Sequence, residues 1–374
     1  MSSQSSTLSI STWLSIPYVH FVVILTTNME NNTNTSAREF DQGIAIARAI
    51  GLLMLVVLHS AAVNFDHFSD KWWATNVYDS LARSCVPIFL MISGALFLRK
   101  EERLAVFVRK RILRIIPALV FWSLVYLIWQ KSEGTGIAYN KWITSMLYGP
   151  VAVHLWYLYA IIGLYAFVPL LKKIYSGTNE IEKTFYLVMW FVVASIIPTI
   201  KGYFQLYWDV VNIFNLGTFG GLIGYLFLGA YAIDRSKLSN SGWKKWLAVF
   251  VASSIATILL TYMYSSASGS PNGFFYNNLS PFVVIAAIAT FRLCMHRQII
   301  LSAKQQKVLM LITEYSLGIY CVHYLILGIL KKLGLSGEVG SAWWSIPVTA
   351  IVALAISFGA IGLLRRLPLM RYVT

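Results

Sequence analysis

From Gly43 to the C-terminus the chain is laid out as ten apolar segments, centred on 43–63, 84–98, 112–129, 155–171, 185–200, 214–233, 246–264, 281–295, 311–330 and 343–364. A helix that crosses the hydrocarbon layer needs about 20 such residues, so this spacing predicts an all-α polytopic membrane protein, a bundle of about ten transmembrane helices. Composition agrees. Only 12% of residues are charged, where a soluble domain carries about 25%. The mean hydropathy is +0.65, and 13 Trp, 21 Tyr and 21 Phe are the kind of residue that anchors helices at a membrane interface.

Residues 1–40 differ, being rich in Ser, Thr and Asn around one short apolar run, Trp13 to Leu25. That run has no basic flank and no small-residue cleavage site, and it is short for a span, so neither a signal peptide nor a helix is expected. The stretch is read as a disordered or untranslated extension, with Met29 as an alternative start, ahead of one transmembrane domain at 41–374. No hydrophilic insertion and no repeat of about 20–50 residues suggests a second domain.

The net charge is +15, from 30 Lys and Arg against 15 Asp and Glu. In a soluble chain this would suggest nucleic acid, but here the basic residues alternate between loops. The loops after the second, fourth, sixth and eighth segments, with the C-terminal tail, hold 21 of the 30. That bias orients the bundle with both termini in the cytoplasm and makes membrane lipid, not nucleic acid, the partner. Cys85, Cys294 and Cys321 match no zinc or redox spacing and are expected to pack in the core.

Ionisable residues inside apolar segments are costly and therefore informative. Glu314 is the only carboxylate found there by this reading, which argues against proton-coupled transport. The first segment carries Arg48 and His59. Eleven residues of helix amount to three turns plus about 20° and a rise of about 16 Å, so both point the same way. A neutral imidazole is a general base near pH 7. A permanently cationic guanidinium holds a phosphate or a developing oxyanion. With Arg48 near the cytoplasmic face and His59 toward the far side, the pair fits group transfer across the membrane; snorkelling and helix packing are the plainer alternatives.

Other polar positions accompany them. Arg83 precedes Pro87 and the turn-prone Ser93-Gly94, where Ser93 more commonly packs helices. The cluster Arg109, Lys110, Arg111, Arg114 ahead of Pro117 is a topology anchor or a recruiter of a polyanionic co-substrate. His154-Leu155-Trp156-Tyr157 opens the fourth segment, and His323 lies within the ninth. Arg83, Ser93, His154, Trp156, Tyr157 and His323 are candidates for substrate contact. No serine triad, P-loop or metal site is expected.

Taken in order, these blocks resemble the acyltransferase-3 family of integral-membrane acyltransferases. The matching blocks are Arg48 and His59 with ten residues between, Val86-Pro87-Ile88-Phe89 running into Ile92-Ser93-Gly94, and Arg109-Lys110-Arg111-Ile112-Leu113-Arg114 before Pro117. His154-Leu155-Trp156-Tyr157 with Leu164-Tyr165 and Pro169, and Ser316-Leu317-Gly318-Ile319-Tyr320 followed by His323, complete the set. Within that family the chain is most similar to the bacterial inner-membrane O-acetyltransferases of surface polysaccharides, the enterobacterial common antigen type among them. Ala95 departs from the pattern, since an aromatic is common there.

The resemblance implies a multi-pass protein of the inner membrane that transfers acetyl from cytoplasmic acetyl-CoA to a hydroxyl of a polysaccharide or lipid-linked glycan. It makes Arg48 and His59 the functional pair; the expectation that Arg48, Arg111 and Arg114 hold the donor rests on their charge, which suits CoA phosphates. The competing expectation is a transporter of a glycan or lipid intermediate, which would release no CoA.

Overall fold

The computed structural model describes residues 41–207, 209–238, 242–296 and 301–374; the expectations for residues 1–40 lie outside them. Among the described residues there is no strand, and the chain is an all-α polytopic membrane protein. Among the described residues eleven longer helices make up the bundle: α1 Gln42–Ala61, α2 Trp72–Ala82, α3 Cys85–Phe97, α4 Leu104–Ser132, α5 Trp156–Gly177 and α6 Glu180–Tyr203. The remainder are α7 Ile223–Leu238, α8 Trp243–Ser268, α9 Pro281–Cys294, α10 Ala303–Lys332 and α11 Ala342–Leu364.

Nine stretches of the described residues are long and apolar enough to span, α2 and α3 together forming one, Trp72–Phe97. The tenth expected segment, 214–233, is different. Its first part carries Gly217, Gly220 and Gly221, the last at φ 77°, and becomes short 3₁₀ structure at Leu216–Phe219. Only the sixteen residues of α7 form a helix, about 24 Å long at 1.5 Å per residue. Because α7 is short and nearly surrounded, with Tyr225, Leu226, Phe227, Ala230 and Ala232 buried, it is a core helix.

α8 shows why hydropathy finds these helices. Leu247, Val251, Ile255, Leu259 and Met263 recur every four residues on its exposed face, while Ser253, Ser254, Thr257, Thr261 and Ser265 are buried. In lipid tails no hydrophobic force drives helices together. The apolar stripe therefore faces outward, and small hydroxyl residues occupy the helix–helix seam.

α1 is the hub, packed against α2, α3, α9, α10 and α11. The tightest crossing is α3 on α7. A Cβ on Gly94 would lie 1.8 Å from the Leu226 carbonyl oxygen, and one on Gly229 would lie 2.0 Å from that of Met91. Gly94 is thus not the turn that Ser93-Gly94 suggested; it is helical, and only glycine lets the two backbones meet there.

Ion pairs sort the connecting segments into two sets. At one end Arg99 binds Asp234 at 2.8 Å, Lys172 binds Glu101 at 3.0 Å and Arg235 binds Glu180 at 3.5 Å. At the other, Lys331 binds Glu338 at 3.0 Å, Lys332 binds Glu133 and Lys71 donates to the Glu338 carbonyl. The connecting segments therefore fall into two sets, one at each end of the bundle. Cys85, Cys294 and Cys321 are buried free thiols.

Candidate active site

The bundle encloses a polar column with two ends, and α1 contributes one residue to each. Arg48 stands in the lower half of α1 and His59 in its last turn. Both act toward α5, because the Arg48 charge reaches Tyr157 and Tyr165 and the His59 ring lies 6.3 Å from that of His154, just ahead of α5.

At the His59 end the structure brings together three histidines that the sequence scatters over 265 positions, His59, His154 and His323. The His59 ring is 5.2 Å from His323 and 5.5 Å from Tyr324. His154 is 5.1 Å from His323 and stacks on Tyr324 at 5.1 Å. His154 and His323 are buried. His154 sits in the 3₁₀ turn Val153–Leu155, which Gln130 pins by donating to the Val151 carbonyl at 2.9 Å.

Backbone carbonyls fix two of these rings. His323 Nδ1 lies 2.6 Å from the Tyr320 carbonyl oxygen, and His154 Nε2 lies 3.2 Å from that of Cys321. A carbonyl only accepts, so the hydrogens are on His323 Nδ1 and His154 Nε2, leaving lone pairs on His323 Nε2 and His154 Nδ1. Both of those atoms are buried without a hydrogen-bond partner. The supporting frame is α10 itself. The Tyr126 hydroxyl donates to the Cys321 carbonyl at 2.8 Å and accepts from the Leu325 N–H at 3.0 Å. A phenol thus inserts beside the helical ladder where the histidine and tyrosines project. Tyr320 in turn donates to the His154 carbonyl. Among the described residues no three ligating side chains converge to hold a metal ion.

At the Arg48 end the cations gather. The charges of Arg111, Arg114 and Arg48 all reach Tyr165. Tyr165 shares a 3.1 Å hydrogen bond with Ser93, whose hydroxyl also lies 3.0 Å from the Phe89 carbonyl. Arg111 stands 4.0 Å over the Phe97 ring and 3.6 Å from Glu102, which Lys110 binds at 2.6 Å. Partial burial raises the Glu102 carboxyl, but the Lys110 hydrogen bond and the charges of Lys110, Arg111 and Lys100 outweigh it and hold it below the ordinary carboxylate range. Tyr157 and Tyr320, 5.6 Å apart, lie between the two ends. Trp156 meets this group through a ring contact with Tyr157 at 6.2 Å.

Arg83 ends α2, binds Asp79 at 2.5 Å and stands 4.2 Å over the Tyr276 ring. Asp79 corrects the sequence reading. Glu314 is not the only carboxylate inside an apolar span, because the second span begins at Trp72 and not near 84. Asp79 is 1% exposed within it, whereas the Glu314 side chain is 54% exposed and pairs with Arg365. The available signal was the pattern Thr75, Asn76, Asp79, Ser80, a polar helical face whose members are all buried.

Comparison with curated proteins gave no match, and comparison with solved structures gave none. The family Acyl_transf_3, described as an acyltransferase domain, matches residues 41–362. That match spans α1 through nearly all of α11, and so contains both ends of the column; the chain belongs to the acyltransferase-3 family.

Proposed function

We propose that this protein transfers an acetyl group from cytoplasmic acetyl-CoA to a hydroxyl of a surface or lipid-linked polysaccharide at the bacterial inner membrane, as enzymes of the enterobacterial common antigen type do. Its family makes acyl transfer the reaction class. One observation carries the finer reading: a single helix bears a cation at the end where Arg111, Arg114, Ser93 and Tyr165 gather and an imidazole at the end where two other histidines present unused lone pairs. The charge of a CoA phosphate suits the first end. The second suits a neutral hydroxyl, which needs a proton acceptor and no countercharge.

In this reading both termini are cytoplasmic, Arg48, Arg111 and Arg114 hold the donor, and His59 is the general base. The acceptor oxygen loses its proton to His59 as it attacks the thioester carbonyl. The carbon–sulfur bond then breaks, and the CoA thiolate takes the proton. Arg83, His154, Trp156, Tyr157 and His323 stand toward the acceptor, and Ser93 stands at the donor end beside Tyr165. Base catalysis is worth about 10²–10⁴ in rate, and His59→Ala is expected to lose that much while still inserting and binding acetyl-CoA.

The test uses protein in proteoliposomes with acetyl-CoA and lipid-linked glycans extracted from the expressing cells, and follows free CoA thiol with acetylated glycan by mass spectrometry. Full transfer by a well-inserted His59→Ala variant refutes the mechanism. The buried Asp79–Arg83 pair favours a second reading, transport of a glycan or lipid intermediate, because intramembrane ion pairs mark substrate pathways. Glycan movement across the bilayer with no CoA released would select it.

A further inference from the structure

His323 is fully buried, yet its chemistry is arranged for use. Its Nδ1–H is committed to the Tyr320 carbonyl at 2.6 Å, with the Ile319 carbonyl oxygen at 3.3 Å. This leaves the Nε2 lone pair, which has no partner although it is inaccessible to solvent. A buried acceptor is normally satisfied, and one left open inside a membrane span calls for a donor that arrives or reorients. The neighbouring ring that can supply an N–H is His59, 5.2 Å away between centroids with the planes tilted by 43°. Each ring nitrogen lies a little over ~1 Å from its centroid, so the rings are close enough that rotation of the His59 side chain brings one of its nitrogens to hydrogen-bonding distance of His323 Nε2. The other near ring, His154, has already placed its N–H on the Cys321 carbonyl and offers only a second lone pair.

We infer that His323 is the positioning residue for His59: its fixed Nε2 lone pair accepts the N–H of the His59 ring, which leaves the opposite His59 nitrogen free to take the acceptor hydroxyl's proton. The inference rests on the acyl-transfer reading above. His323 stays neutral, its Nδ1–H anchored to the backbone. It holds one tautomer of His59 before the step and stabilises the His59 imidazolium while the C–O bond forms and the C–S bond breaks. The proton then passes from His59 to the CoA thiolate, so His323 gains and loses nothing. A second-sphere acceptor of this kind orients a histidine in the way that carboxylates and carbonyls orient ligating imidazoles.

Two substitutions separate this role from simple packing. His323→Asn keeps an N–H donor near the position of Nδ1 and so preserves the bond to the Tyr320 carbonyl, but it deletes the acceptor at the ε position. His323→Gln does the reverse, placing a carbonyl oxygen near Nε2 and giving up the backbone bond. Both variants, the parent and His59→Ala are compared in proteoliposomes with acetyl-CoA and the extracted lipid-linked glycans, and thermal unfolding in detergent micelles is measured alongside. Positioning predicts that His323→Asn loses about 10- to 100-fold in kcat with KM for both substrates unchanged and unfolding close to the parent. His323→Gln keeps more activity than His323→Asn despite melting at a lower temperature.

A purely structural His323 gives the opposite order, the Asn variant as active as the parent and the Gln variant impaired in step with its stability. A rise in acceptor KM for His323→Asn with kcat unchanged makes His323 a binding group and also overturns the inference. Because the parent and His59→Ala are in the same experiment, absence of transfer in the parent marks failure of the acyl-transfer reading itself. An inactive His59→Ala beside a fully active His323→Asn marks failure of this inference alone.

Discussion

Gly94→Ala adds one methyl group where the structure has no room for it. The new Cβ would stand 1.8 Å from the Leu226 carbonyl oxygen, and ordinary contact begins near 3.4 Å, so α3 and α7 must part by about 1.6 Å. The atom met is backbone, so no side-chain rotation relieves it. Overpacking typically costs about 1–3 kcal/mol, and a clash that moves a whole helix belongs at or above the top of that range. The control is Gly163→Ala or Gly359→Ala, two helical glycines with nothing within 4 Å of the added carbon. There the gain in helix propensity, up to about 1 kcal/mol, should leave stability unchanged or raised.

Gly229 meets the Met91 carbonyl at the same crossing, so the two substitutions share one cause. Once either has opened the helices, the second should cost little, and the double variant should fall well short of the sum of the singles. The assay is thermal unfolding of detergent-solubilised protein, with transfer activity measured in parallel, since Ser93 and its bond to Tyr165 move with Gly94. A Gly94→Ala protein that melts with the parent, or a strictly additive pair, refutes the close-crossing argument.

Arg48→Lys keeps the charge but loses the planar fork, so KM for acetyl-CoA should rise, and rise further in Arg48→Ala; unchanged donor dependence in both makes Arg48 an interfacial anchor. Glu102 pairs with Lys110 and Arg111, so in the proposed reading it competes with the donor phosphates, and Glu102→Gln should lower KM for acetyl-CoA several-fold at neutral pH. Its carboxyl titrates below its ordinary 4.5 in the folded protein, so the stabilisation it gives is present above that value and lost as the pH falls through the folded-state value. Melting profiles between pH 3 and 7 should show this acid-side loss in the parent and not in Glu102→Gln. Asp79→Asn leaves the partly exposed Arg83 charge without its carboxylate, which should cost less than the ~3–5 kcal/mol typical of fully buried pairs. The double variant Asp79→Asn/Arg83→Gln should recover part of it in thermal unfolding, and a single variant as stable as the parent means that Arg83 finds water.

The helices were legible because lipid turns the usual rule outward. On α8 the apolar stripe from Leu247 to Met263 is exposed, and it is this exposed stripe that a hydropathy reading detects. The same reading failed at α2. α2 buries Thr75, Asn76, Asp79 and Ser80 and so looks like a loop, which is how Asp79 escaped notice and why the second span seemed to start a full helix late. At 214–233 composition was apolar throughout, but three glycines kept the first half from propagating as helix. Periodicity placed Arg48 and His59 on one face of α1 without any tertiary information. It could not bring His154 and His323 to that face, because their meeting depends on Tyr126 at the Cys321–Leu325 step and on the Gln130 bond to Val151, contacts between segments with no sequence relation.

Those long-range contacts also explain why the histidine end needs so much framing while the arginine end needs little. A guanidinium is charged in any orientation and draws a phosphate over several ångströms, so Arg48, Arg111 and Arg114 need only be near one another. An imidazole is useful as a base only if the correct nitrogen holds the lone pair and faces the hydroxyl. Two of the three rings are therefore tied to carbonyls of the same helix, at Tyr320 and Cys321, and Tyr126 secures that helix at the point where they attach. In the proposed reading α1 is the rigid spacer between the two ends: the hydroxyl meets His59 beside two rings of fixed tautomer, and the donor is held by charge about three helical turns away.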